Sequence, residues 1–332
     1  MVENPLVSVV IPAYNGERFL QQTLASAVAQ TYSPIEVVVV DDGSTDQTVS
    51  IVEAAATRSD RIRLFRRANA GVAATRNFGI SQAQGSLIAP LDADDLWHPE
   101  KIARQVEVMR SSPAEVGLVY CWVIDIDEDD FVIPSVKSLG REHAFQGRVT
   151  KELATGCFIH TSSAPLIKRS CIDAVGGYDA ELRPHGADDW KLYFLLSEIC
   201  EFAVVRKYLV GYRQPRGSLS RSFAAMGQSM ENVAHWIFER RPDLAEHHRY
   251  RTMYGIHAFL AQRALDNSQY VGALRHIIKA CKAKPSGLLD RWTGELVVRL
   301  LARLVGFRRS ELRRRGLTAQ PRFKEFQSTQ HF

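Results

Sequence analysis

The fold is decided by the stretch from Leu6 to Thr48, "LVSVVIPAYNGERFLQQTLASAVAQTYSPIEVVVVDDGSTDQT". It opens on a short β-branched run, Leu6 to Pro12, and turns into Gly16 to Gln30. There Phe19, Leu20, Leu24, Ala27 and Val28 fall at helical spacing. It then enters Ile35 to Asp41, a run apolar on both faces, as a central parallel strand covered by helices should be.

The alternation continues. Ser44, Thr45 and Asp46 can cap a helix to about Thr57, and Arg61 to Arg66 reads as a third strand. Gly71 to Gln84 reads as a helix and "SLIAPLD" as a fourth strand, followed by a helix opened by Pro99. Repeated βα units predict an α/β fold, a mostly parallel sheet flanked by helices, with ligands beyond the carboxyl ends of the strands.

From Val116 the pattern is mixed. "VGLVYCWVIDID" and "FVIP" suggest a hairpin edge, and Ser162 to Asp179, "SSAPLIKRSCIDAVGGYD", a strand or short helix ending at Gly176-Gly177. Asp188 to Ile199 reads as a helix and Phe202 to Arg213 as a last strand. Helices are expected at about 223–240, 244–265, 270–283 and 288–304. The organisation expected is a catalytic domain over 1–220, an α-helical C-terminal extension over 221–312 and a basic, poorly ordered tail over 313–332.

Hydrophobic content of 45% and charged content of 24% suit a globular protein with a proper core. Five scattered cysteines without CxxC spacing argue for a reducing compartment and against structural zinc. The N-terminus lacks the pattern of a signal peptide, and no run is long enough to span a membrane, so a cytoplasmic location is expected. The net charge of +5 is uneven, because Asp290 to Phe332 carries ten Lys/Arg against four Asp/Glu.

Two acidic clusters end strands: Asp41-Asp42 after the second, and Asp92, Asp94 and Asp95 after the fourth. Both should open onto one crevice. Carboxylates this close repel one another, and Asp92 with Asp94 would suit a hard divalent cation, Mn2+ or Mg2+, shared with phosphate oxygens. A solvated acidic loop is the simpler reading of either cluster taken by itself. No G-x-G-x-x-G follows the first strand and no GxxxxGK[ST] occurs, so dinucleotide dehydrogenases and P-loop NTPases lose their phosphate-binding device.

The quoted stretch, then "NAGVAATRNFGISQAQGSLIAPLDADDLWHPEKI", "GGYD" and "ADDWKLYFLL", closely resemble the inverting, family 2 nucleotide-sugar glycosyltransferases of GT-A fold. The match runs from about Val7 to Ser220. The resemblance implies a nucleotide pocket built from Pro12, Ala13, Tyr14 and Glu17, with Tyr14 stacked on the base. It implies that Asp42, beside Asp41, accepts the imide N–H of a uridine-type base, and that Arg76 and Asn77 help close the site. Asp92, with Ala93 next to it, would approach the ribose and metal shell, and Asp94 would ligate the cation. Asp189, in an acidic pair at a helix start, would be the catalytic base. Asp188 stands where the family commonly has Glu, and a helix-capping role is equally open to it. Arg213, Arg216 and Ser218 to Ser220 match a loop that covers the donor.

What this implies is a metal-dependent transfer of one sugar from a nucleotide-diphosphate sugar, UDP-linked by expectation, to a hydroxyl of a glycan or lipid-linked acceptor in cell-surface polysaccharide synthesis. Processive synthases carry QxxRW, whereas Arg291-Trp292 is preceded by Leu288 where Gln is needed. A sugar nucleotidyltransferase would need a basic Gly-rich loop after the first strand, and a non-catalytic sugar-binding module would be expected to have lost Asp94 or Asp189. In Leu288 to Leu304, an Arg/Glu stripe opposes Leu289, Trp292, Leu296, Leu300 and Leu304, which predicts a basic amphipathic helix on an anionic membrane surface. No aromatic platform supports nucleic-acid binding.

Overall fold

The computed structural model describes residues 4–133, 144–184, 186–214, 219–266, 268–284, 294, 296–298, 300–301 and 321–328. The first half is built as its periodicity requires. β1 (Val7–Ala13), β2 (Ile35–Asp41), β3 (Ile62–Arg66) and β4 (Leu87–Pro90) alternate with α1 (Leu20–Val28), α2 (Thr48–Ala56) and α3 (Val72–Gln82). Val37 to Val40 have no solvent exposure, because helices cover both faces of β2. Pairing is parallel from β3 through β2 and β1 to β4, and Ala13 sits opposite Asp41.

α3 packs unusually close to this sheet. A Cβ on Gly79 would lie 2.5 Å from Cγ1 of Val10 and 3.2 Å from Cγ2 of Val40, so the helix can approach only with glycine there.

The second half is mixed. It contains β5 (Leu96–Trp97), α4 (Lys101–Ser111), β6 (Val116–Ile126), α5 (Thr150–Thr155), β7 (Leu166–Lys168), α6 (Arg169–Val175), α7 (Asp188–Ile199) and β8 (Glu201–Arg213). The eight strands form one sheet in the order β3-β2-β1-β4-β7-β6-β8-β5. β7 enters antiparallel between β4 and β6, β6 and β8 run parallel, and β5 pairs antiparallel with β8. The hairpin expected after β6 is reduced to a single bridge, Ile126 to Val132, while Phe131 bridges to Arg322 of the C-terminal segment.

α8 (Leu219–Arg240), α9 (Pro242–Asp266) and α10 (Tyr270–Ala283) form the helical C-terminal part. Val233, Ala234, Ile237, Leu260 and Ala273 belong to the same hydrophobic core as the sheet, so these helices are packed onto the α/β unit. The Thr252 hydroxyl donates to the Ala154 carbonyl at 2.8 Å, tying α9 to α5.

Residues 321–328 differ from the expectation of a poorly ordered end. Phe323, in α11 (Phe323–Ser328), is 1% exposed and fills a small second core with Leu96, Ile124, Ile126, Val132 and Tyr208. Its N–H donates to the Asp130 carbonyl and Val132 N–H donates to the Pro321 carbonyl. A short, largely polar run gave no periodic signal, yet burial of the Phe323 ring docks the segment. The remaining positions of 313–332 lie outside the described residues.

The stripe predicted for 288–304 is corrected in part. Leu296 and Leu300 are buried in the main core, so the face that carries them turns toward the protein. Arg291, Trp292 and most of that segment lie outside the described residues.

Candidate active site

The turn after β4 is held rigidly from below. Asp95 is fully buried, and its carboxylate accepts from the Ser163 hydroxyl at 2.6 Å, the Thr161 hydroxyl at 3.0 Å and the Arg213 N–H at 3.0 Å. The Ser163 hydroxyl is also 3.0 Å from the Asp92 N–H, and the Thr23 hydroxyl is 3.0 Å from the carbonyls of Ala93 and Asp95. These contacts leave Asp92 and Asp94 partly exposed at the strand end.

Arg213 is buried completely beneath that turn. Its guanidinium donates to the carbonyls of Asp94, Asp127 and Glu128, to the Asp130 carboxylate and to Gln22, and it lies 4.5 Å from the centre of the Phe19 ring. With its donors spent on the protein, Arg213 does not reach a phosphate. Arg216 and Ser218 lie outside the described residues.

Arg76 ties the strand end to the helix start. Buried on α3, it donates from Nη2 to Asp92 at 2.6 Å and from Nη1 to Asp188 at 2.7 Å, and it packs 5.2 Å from the centre of the Tyr178 ring. Two acids, Asp188 buried and Asp92 partly exposed, around one fork-shaped cation is the arrangement arginine suits best. A surface position for Arg76 is thereby excluded, and Asp188 is paired with this guanidinium.

Two motifs that are distant in sequence also meet here. The Asn77 side chain donates to the Tyr178 carbonyl at 2.7 Å and accepts from the Tyr178 N–H at 2.9 Å. Gly177, at φ +78°, makes room: a Cβ there would lie 2.6 Å from Oδ1 of Asn77.

Asp189 opens α7 and accepts from the Trp190 N–H at 2.7 Å. Its side chain is recessed, and burial, then the charge of Asp188, pushes its carboxyl up to about 7, against the pull of Arg76. Burial and the charge of Asp92 likewise push the Asp94 carboxyl up to about 6. Asp189 thus has a pKa suited to taking a proton near neutrality. Around it stand Tyr178 and Tyr193, whose buried hydroxyls have no hydrogen-bond partner among the described residues. Sequence reasoning missed both, and also Thr161, Ser163 and the structural use of Arg213. They fall in or after the stretch without legible periodicity, and only the tyrosine of "GGYD" carried any signal.

The remaining predicted positions lie at the ends of β1 and β2. Tyr14 is 54% exposed, which suits a stacking surface and excludes a core role. Pro12 and Ala13 are buried in β1, and Glu17 accepts from the Gln47 N–H at 3.0 Å, stitching the first turn to the second. Asp41 accepts from the Ser44 N–H at 3.2 Å. Both oxygens of Asp42 accept backbone N–H groups, from Ala70 and Gly71, each at 3.0 Å. Asp42 therefore orders the loop leading into α3, and its carboxylate keeps lone pairs for one further donor. His98 accepts from the Glu100 N–H, and His185 lies outside the described residues.

No group of three or more His, Cys, Asp or Glu side chains is arranged to hold a metal among the described residues. Asp92 and Asp94 offer hard oxygen donors and mutual repulsion that a cation would relieve. They fit an ion that takes most of its ligands from water and diphosphate.

A mixed α/β sheet with acids at the carboxyl ends of its strands, an acidic helix start facing them and a helical C-terminal part is the architecture of the GT-A fold. Residues 8–176 match the family model described as Glycosyl transferase family 2, and the chain belongs to that family. It is 32% identical to an uncharacterized glycosyltransferase of Rickettsia typhi over 197 residues, covering 59% of this chain and 61% of the relative. It is 43% identical to the uncharacterized glycosyltransferase EpsJ of Bacillus subtilis over 112 residues, covering 34% and 33% of the two chains. The chain thus spans less than two thirds of these relatives' length. Among solved structures, the mannosyltransferase PcManGT of Pyrobaculum calidifontis, in complex with GDP-Man and Mn2+, superposes with a TM-score of 0.60 at 19% identity. That match covers 92% of this chain and 88% of the other. S. aureus TarS 1-349 in complex with UDP superposes with a TM-score of 0.59 at 17% identity, covering 96% and 99%. At these identities the superpositions show the fold.

Proposed function

We propose that the protein is an inverting, metal-dependent glycosyltransferase that moves one sugar from a nucleotide-diphosphate donor, UDP-linked by preference, to an acceptor hydroxyl of a glycan or lipid-linked saccharide. The observation that carries this reading is the Arg76 bridge, which brings the acids of the β4 turn to the acidic start of α7.

Tyr14 offers its exposed ring to the base, and Asp42, with Asp41 behind it, accepts the base imide. Asp92 and Asp94 face the ribose and diphosphate and would hold a divalent cation such as Mn2+ or Mg2+. When bound, that ion supplies Lewis-acid stabilisation of the leaving diphosphate. Asp189 takes the proton of the acceptor hydroxyl as it attacks the anomeric carbon from the face opposite the diphosphate. Single displacement inverts the centre, so an α-linked donor gives a β-linked product. The GDP-Man and Mn2+ held by PcManGT, and the UDP held by TarS, support a nucleotide-sugar donor and a divalent ion.

A peripheral contact with an anionic membrane also belongs to this proposal. No helix among the described residues is long and apolar enough to cross a membrane. With Leu296 and Leu300 buried, the support comes from α10, where Val271, Leu274 and Ile278 are exposed beside the exposed basic residues Arg275 and Lys282.

A donor screen tests the reading. Release of UDP, GDP or dTDP is measured from a panel of nucleotide sugars with Mn2+ or Mg2+. Release from a UDP-sugar is expected, and a uniform absence of release across the panel would sink the proposal.

A further inference from the structure

Cys171 on α6 and Cys200 at the end of α7 converge on one glycine. A Cβ on Gly117 of β6 would lie 2.6 Å from the Cys171 sulfur and 2.5 Å from the Cys200 sulfur, so the strand can pass only because position 117 has no side chain. Both sulfurs therefore lie against the same point of β6, close to each other. Cys171 is half-buried and Cys200 is buried behind it. The other three cysteines are engaged elsewhere or set apart. Cys121 contacts the Ala164 carbonyl at 3.5 Å, Cys157 contacts the Ile159 carbonyl at 3.2 Å, and Cys281 lies on α10.

We propose that Cys171 and Cys200 are a dithiol modification site, in which Cys171 reacts first with a small peroxide and Cys200 resolves the product to an intramolecular disulfide. The order follows from access, since Cys171 is the thiol that solvent reaches. The Cys171 thiol is also drawn down to about 7, first by the hydrogen bond from Cys200, with Lys168 and Ser170 adding to it against burial. That favours the thiolate, the reactive form, while the Cys200 thiol is pushed far up.

The chemistry balances with peroxide as oxidant. The Cys171 thiolate attacks one peroxide oxygen, the O–O bond breaks, and hydroxide leaves to become water, giving a sulfenic acid. The Cys200 sulfur then displaces the sulfenic hydroxyl, which leaves with the Cys200 proton as a second water. Two thiols lose two electrons, and one peroxide is reduced to two waters. The product covalently joins α6 to the end of α7 opposite Asp189, and the proposal does not depend on the identity of donor or acceptor.

The test treats the reduced full-length chain with a small excess of hydrogen peroxide. Free thiols are counted in denaturant, and non-reducing peptide mapping locates any cross-link. The thiol count should fall from five to three, with a single Cys171–Cys200 cross-link on a monomeric chain, reversed by dithiothreitol. Cys200→Ser should instead carry a sulfenic or higher oxide on Cys171, and Cys171→Ser should keep all four remaining thiols. Circular dichroism before oxidation checks that each variant is folded, and the wild-type mapping needs no variant. Retention of five thiols, loss centred on Cys121, Cys157 or Cys281, or cross-links between chains would overturn the proposal.

Discussion

Asp92 and Asp188, which come from opposite halves of the chain, are bound to the same guanidinium: Arg76 lies 2.6 Å from the first and 2.7 Å from the second. The bridge couples the turn after β4 to the start of α7, so the two acidic clusters cannot drift apart independently.

Arg76→Met would leave two carboxylates facing each other with no counter-charge. Removing one partner of a buried ion pair costs about 3–5 kcal/mol, and the expected result is a clear fall in melting temperature together with loss of turnover. Adding Asp188→Asn to that variant should recover part of the stability, because one uncompensated charge disappears. A calorimetric series over wild type and the two variants checks this.

Asp189→Asn should separate catalysis from stability. Loss of a general base typically costs about 10^2- to 10^4-fold in rate. The folded protein holds the Asp189 carboxyl near 7, above its ordinary value, so the fold favours the protonated form. The stability this contributes is present at low pH and is lost as pH rises through about 7. The Asn variant should therefore gain on wild type as pH rises from about 4 to about 7, and the difference should be largest at pH 8. In the wild type, kcat/KM should climb about tenfold per pH unit below 7 and level off above it. A rate that stayed flat from pH 5 to 8 would remove Asp189 from the role of base.

Gly177→Ala tests the junction of the two motifs. The backbone there is left-handed at φ +78°, and the new Cβ would press on Oδ1 of Asn77 at 2.6 Å. A cost of about 1–3 kcal/mol is expected from the backbone conformation, with further loss from the displaced Asn77. Chemical denaturation measures it. Gly176→Ala, also at positive φ but with nothing within 4 Å, should cost less.

Phe323→Ala probes the docked C-terminal segment. The ring is 1% exposed in the second core, and truncations of this kind cost about 3–5 kcal/mol when the whole fold depends on them. Here the cost is expected to appear as local release, with early protease cleavage near 321–328 while the main transition shifts little.

Much of this architecture could be read from the residues, for identifiable reasons. β2 and α7 fall where the sequence places them, because "IEVVVVD" has the apolar saturation of a buried parallel strand and "DDWKLYFLL" begins with acids at a helix start. β7 reads from the sequence only as a strand or short helix, and β5 gives no strand signal, because three- and two-residue strands show no periodicity and exist through pairing with distant partners. Among the site residues, Asp94 stands partly exposed in the turn after β4 and Asp189 opens α7. Arg213 misled because a basic residue in a turn looks alike whether it meets a phosphate or its own chain. Only the fold shows that five protein groups already take its donors. The Thr161 and Ser163 anchors beneath Asp95 were hidden for the same reason, since long-range hydrogen bonds leave no local pattern.

The central claim is that Asp189 removes the acceptor proton while Asp92 and Asp94 hold the donor end. Its most direct test is nucleotide release from the preferred donor by wild type, Asp189→Asn and Asp94→Ala, each with Mn2+ and with chelator. Turnover should be high only for wild type with metal, and Asp189→Asn should still bind the nucleotide with near wild-type affinity. If both variants turned over like wild type, with or without chelator, the chemistry would have to lie elsewhere in the chain.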